Sequence, residues 1–112
     1  MIKRQLEAKL KQLYRYFPVV SLNGPRQSGK TTLVRLIFGN KPYANLENPD
    51  LLIYAIEDPR GFLSSYPQGA VLDEVQRAPE LFSYLQQILD DTATNGLFIL
   101  TGSNNFLLQK VI

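Results

Sequence analysis

A chain of 112 residues has room for one domain with one core, and 45% hydrophobic with 20% charged residues is ordinary for a globular protein. With no cysteine and no histidine, disulfides, thiolate zinc sites and histidine-dependent triads are excluded, so any chemistry runs on carboxylates, lysine, hydroxyls and backbone amides. The net charge of +2 is unevenly spread, because residues 1–16 hold Lys3, Arg4, Lys9, Lys11 and Arg15 against Glu7 alone.

Ile2, Leu6, Leu10, Leu13 and Tyr14 form one stripe of an amphipathic helix over residues 1–16, with the basic residues opposite. That basic face is either a solvated surface or a contact for nucleic acid. There is no apolar run long enough to span a bilayer and no secretory leader pattern, so the cytoplasm is the default location and no membrane partner is expected.

Pro18 ends the helical pattern, and residues 17–22 read as a short buried strand. A glycine-punctuated loop follows, then a helix over residues 31–38 with Leu33, Leu36 and Ile37 as its apolar positions, stopped by Gly39-Asn40. Residues 43–47 read as a second strand. Asn48 then caps a helix that has Pro49 in its first turn and runs over residues 51–56. Residues 59–68 read as a short helix or a turn. Ala70, Val71 and Leu72 form a third strand ending on Asp73-Glu74, and Pro79 opens a helix with Leu81, Phe82, Leu85, Ile88 and Leu89 on one face. After the turn signal Asn95-Gly96, residues 97–100 form a fourth strand. Strands alternating with helices predict an α/β fold, a parallel sheet with helices on both faces.

Gly24-Pro25-Arg26-Gln27-Ser28-Gly29-Lys30-Thr31 satisfies the phosphate-loop pattern G-x-x-x-x-G-K-[ST]. Its glycines let successive amides turn inward around phosphate oxygens, and the helix behind it aims its positive end at the same anion. The expected nucleotide contacts are residues 24–31 with Thr32; Lys30 supplies charge at the β- and γ-phosphates, and the Thr31 hydroxyl is a ligand for Mg2+. Arg26 either touches a phosphate, is contributed to a neighbouring subunit, or is solvated.

A hydrophobic strand ending in two acids is costly unless the acids emerge where charge is useful. Here Asp73 would hold Mg2+, usually through water, and Glu74 would polarise the attacking water; otherwise the pair merely opens a solvated loop. Gln76 either reaches that water or starts the next helix. At the end of the fourth strand, Ser103 is the first choice to sense the γ-phosphate, ahead of Thr101 and Asn104; the alternative is a polar loop with Asn105 as a helix cap.

Residues 24–32, Asn45-Leu46-Glu47, residues 72–79 and residues 100–103 together resemble the prokaryotic AAA-type ATPases of the ASCE class, which carry a poorly characterised C-terminal domain. The resemblance implies a three-layer phosphate-loop NTPase fold with sheet order 5-1-4-3-2, and ATP with Mg2+ as cofactors. Family members are several times longer, so 1–112 is expected to be an N-terminal part of such a domain, with 1–16 as an added helix and 17–112 as a core without the fifth strand. Val19 and Val20 are then expected to lose packing, and the chain, with its apolar residues Phe106, Leu107, Leu108, Val111 and Ile112, to self-associate and to hydrolyse ATP slowly. The leading reading is Mg2+-dependent ATP hydrolysis that drives or switches a further domain. The alternative is a switch that binds ATP without hydrolysing it. A small-molecule kinase has no need of Glu74 after Asp73, and a DExx-box helicase requires a second motor domain.

Overall fold

In a computed structural model of the chain, residues 2–25 and 29–103 are described, with Ile2 and Lys3 as backbone alone. Helix α1 (Ile2–Tyr16) leads into strand β1 (Val19–Asn23), and helix α2 (Lys30–Ile37) into β2 (Tyr43–Asn45). Two short helices, α3 (Pro49–Glu57) and α4 (Pro59–Ser64), precede β3 (Ala70–Asp73), and α5 (Leu81–Asp91) precedes β4 (Phe98–Gly102). All pairings are parallel, and the order is β1-β4-β3-β2, so the last strand lies between the first and the third.

Alternation along the strands sorts their side chains onto two faces. Val20, Val71 and Ile99 pack with Leu10 of α1 and with Leu33, Val34 and Phe38 in and after α2. Val19, Ala70, Leu72, Phe98 and Leu100 face the other way, against Ala55, Phe62, Leu81 and Leu85 of α3 to α5. The result is the three-layer α/β phosphate-loop fold. Among the described residues β1 pairs with β4 alone, yet Val19 and Val20 are only 3% and 2% exposed, because each is covered by helices on its own face. The expectation that these valines lose their packing is therefore wrong; what is unpaired among the described residues is one hydrogen-bonding edge of β1, not its side chains.

Local chemistry sets the boundaries. The Asn48 side chain accepts from the amides of Asp50 and Leu51, capping α3 as expected, and Asp58 does the same for α4 through the Gly61 amide. Residues 59–68 thus include a true helix. Leu36 departs from its expected place: it is 73% exposed, since at 100° per residue Leu33, Val34 and Ile37 take the sheet-facing side of α2. Strand β4 runs two residues further than the apolar run suggested, carrying Thr101 and Gly102 into the sheet.

Candidate active site

In a parallel sheet every strand delivers its C-terminal end to the same edge, and here that edge gathers Asn23, Asp73 and Gly102. The loop after β1 is fastened there by the Gly24 amide, which donates to the Gly102 carbonyl at 3.1 Å. Gly29 then caps α2 at φ 87°, in the left-handed region that glycine enters without penalty; a Cβ there would meet nothing within 4 Å, so the demand is on the backbone and not on space. Lys30 follows at once and is only 7% exposed, its ammonium donating to the Pro25 carbonyl at 3.2 Å. A buried cation beside a loop carbonyl is a strong attractor for an anion. Thr32 and Pro25 are exposed and Gly24 is half-buried, while Arg26, Gln27 and Ser28 lie outside the described residues.

The Asp73 carboxylate is 4% exposed and is met by three hydroxyls from three elements. Thr101 donates to Oδ1 at 2.5 Å, Tyr43 donates to Oδ2 at 2.5 Å, and Thr31 lies 3.3 and 3.2 Å from the two oxygens. Register explains the meeting. Val71 pairs with Ile99 and with Tyr43, so two residues on, along the same face, Asp73 stands beside Thr101 and diagonal to Tyr43. Burial, reinforced by the hydrogen bond to Asp73, pushes the Tyr43 phenol well above the ordinary tyrosine range, so it remains a donor. The Arg35 guanidinium lies 4.2 Å over the Tyr43 ring. Asp73 and Thr31 together offer oxygen donors only, at the mouth of the phosphate loop, which is the donor set that suits a small hard cation such as Mg2+.

Glu74 is the turning point between β3 and a 3-10 turn at Val75–Arg77, and it adopts φ 58°, ψ 45°. A non-glycine residue in this left-handed region stores strain of about 1–2 kcal/mol. Its carboxylate is 6% exposed; Ser103 lies 2.6 and 2.8 Å from the two oxygens, and the Gln76 side-chain amide donates to Oε1 at 2.7 Å. Burial pushes this carboxyl up, but the hydrogen bonds from Ser103 and Gln76 bring it, on balance, below the usual glutamate range. Glu74 is therefore held as a carboxylate. Gln76 does not start the next helix: it folds back onto Glu74 within the 3-10 turn, and α5 begins only at Leu81.

Lys30, Thr31, Asp73, Glu74 and Ser103 thus meet at one edge of the sheet. Ser103 is directed at Glu74, and Thr101 at Asp73; Asn104 and Asn105, and with them the cap reading, fall outside the described residues. Tyr43 was not foreseen, since nothing but the register between β2 and β3 carries it to Asp73. Glu47 of the Asn45-Leu46-Glu47 segment forms an ion pair with Arg77 at 3.6 Å.

A parallel sheet with a phosphate loop after its first strand and paired acids after its third defines a phosphate-loop ATPase of the AAA/ASCE type. The chain belongs to the AAA domain family, whose pattern matches residues 16–112. It is 37% identical over 103 residues to uncharacterised proteins of Mycobacterium tuberculosis strain H37Rv and of Mycobacterium bovis, covering 90% of this chain and 23% of each relative. The chain therefore spans less than a quarter of the length of the curated relatives it matches. Among solved structures, a Walker-type ATPase of Pyrococcus abyssi superposes with a TM-score of 0.59 over 90% of this chain and 45% of that one; at 17% identity the likeness is one of fold. No helix among the described residues is long and apolar enough to cross a membrane.

Proposed function

We propose that this domain binds ATP with Mg2+ and hydrolyses it, and that the cycle drives or switches the remainder of a longer protein. The observation that carries this reading is the pairing of two separately held carboxylates at one strand end: Asp73 beside the Thr31 hydroxyl, and Glu74 beside Ser103. In this reading the amides of residues 24–31 and the Lys30 ammonium bind the β- and γ-phosphates. Thr31 and Asp73 hold Mg2+, which supplies charge neutralisation at the phosphate oxygens. Glu74 orients a water toward the γ-phosphorus and takes its proton as the bond to the bridging oxygen breaks, so that ADP and phosphate leave. Ser103 reports the state of the γ-phosphate to Glu74. ATP as substrate fits a cytoplasmic location, and the β1 edge that is unpaired among the described residues supports self-association of the isolated chain through strand pairing.

A switch that holds ATP without turnover draws support from Glu74 itself, which two protein donors already engage, so that they compete with a catalytic water for its lone pairs. One experiment separates the readings. In the full-length protein, Lys30→Ala is expected to weaken ATP binding about tenfold or more, the scale of a lost charge-assisted contact. Glu74→Gln is expected to keep ATP binding and abolish phosphate release. Equal ATP affinity in the native and Lys30→Ala proteins would refute the nucleotide reading; binding without phosphate release by the native protein would select the switch.

A further inference from the structure

Asp73 has more partners than a carboxylate that simply waits for a cation requires. Thr31 stands in the first turn of α2, whereas Thr101 and Tyr43 come from the sheet on either side, one on each carboxylate oxygen. The torsion that spins a carboxylate is soft, with broad and roughly two-fold preferences. Donors fixed on opposite oxygens remove that freedom and turn the remaining lone pairs toward the Thr31 side. Thr101 is fully buried within β4, and Tyr43 is fixed differently: its ring stands on β2, the edge strand, with the Arg35 guanidinium stacked over it. Tyr43 and Thr31 also share the wall of a cavity of about 580 Å³ that Arg35 and Lys41 help to line, so the ring has open space on one side.

We propose that Tyr43 is a positioning residue that locks the Asp73 carboxylate in the orientation needed to receive a divalent cation arriving with the nucleotide. This rests on the nucleotide reading above. Tyr43 touches neither substrate nor cation and acts through Asp73 alone. Its hydroxyl is the operative group, because the ring and its stacking on Arg35 survive in phenylalanine. A hydrogen-bonding partner behind a metal ligand commonly sets metal affinity by about 10- to 100-fold. The contribution of Tyr43 falls at the lower end of that scale, because Thr101 still holds the other oxygen.

The test uses the full-length protein and its Tyr43→Phe variant, with ATP titrated calorimetrically in excess Mg2+ and again in EDTA. A second measurement follows Mn2+ binding to the ATP complex by electron paramagnetic resonance. Tyr43→Phe is expected to leave the metal-free affinity unchanged and to lose about tenfold of the tightening that Mg2+ confers, with a matching loss in Mn2+ affinity. Equal Mg2+ tightening in both proteins overturns the proposal. So does a parallel loss with and without the cation, which would mean that the hydroxyl supports the fold and not the ligand. If the native protein binds no ATP in either condition, the nucleotide reading itself fails, an outcome distinct from an unaltered Tyr43→Phe variant.

Discussion

The Ser103 hydroxyl sits 2.6 and 2.8 Å from the two carboxylate oxygens of Glu74, joining the end of β4 to the residue just past β3. A hydroxyl has one proton to donate, so it serves one oxygen at a time, and Gln76 donates to Oε1, the oxygen nearer Ser103, at 2.7 Å. In the proposed mechanism the pair is a resting arrangement, with Glu74 ionised and part of its acceptor capacity taken by Ser103 and Gln76. A γ-phosphate oxygen is, in that mechanism, a competing acceptor for the Ser103 hydroxyl, and its capture of Ser103 frees Glu74 for the attacking water. Ser103→Ala is accordingly expected to leave ATP affinity nearly unchanged and to lower turnover about tenfold or more, since the loss falls on the transition state and not on the ground state. Binding titrations beside steady-state phosphate release measure both; a variant with native turnover would remove Ser103 from the mechanism.

Glu74 at φ 58° supports a stability prediction independent of catalysis. Glu74→Ala and Glu74→Gly both delete the carboxylate and both leave Ser103 and Gln76 without it. They differ in the backbone, where alanine keeps the left-handed penalty and glycine loses it. Glu74→Gly is expected to be more stable than Glu74→Ala by about 1 kcal/mol, the reverse of the usual order in regular structure. Urea unfolding of the two variants side by side measures the difference, and an alanine variant that is the more stable would mean that the turn relaxes out of the left-handed region.

Two glycines with similar angles should respond very differently to the same change. Gly69 has φ 82° and Gly29 has φ 87°, but a Cβ at Gly69 would overlap the backbone of Leu97 where β3 and β4 begin, whereas one at Gly29 enters open space. Gly29→Ala is expected to cost about 1 kcal/mol in backbone strain and to impair nucleotide binding. Gly69→Ala is expected to cost well over 2 kcal/mol, because strand against strand has nowhere to shift. Thermal unfolding of both variants checks the ranking.

The pattern of apolar runs and glycines made most of this architecture legible. Four short strands separated by amphipathic stretches can satisfy their two faces only as a covered parallel sheet, and the phosphate loop is a local pattern that needs no tertiary information. The strand order is the one that the family resemblance implied. What escaped was everything decided by register. Tyr43 lies thirty residues before Asp73 and meets it only because β2 aligns Tyr43 with Val71. Thr101 stands in a position that reads as loop, since an apolar run ends at Leu100, yet the strand continues because Leu22 and Asn23 of β1 pair with Thr101 and Gly102. The left-handed turn at Glu74 gives no local warning either, because glutamate is not a residue that favours it.

The position of β4 governs when this site comes into being. Val19 pairs with Phe98 and Ala70 pairs with the same Phe98, so β1 and β3 share no hydrogen bond and are joined only through the last strand. Without β4 the lysine-bearing half, α1-β1-α2, and the acid-bearing half built on β2 and β3 have no strand pairing between them, only side-chain contacts such as Thr31 with Asp73. Contacts that close so much intervening chain form slowly. The loop and the acids are both synthesised before the strand that joins them in the sheet. The lysine and the acids thus share one rigid frame only through β4, the strand that lies between theirs.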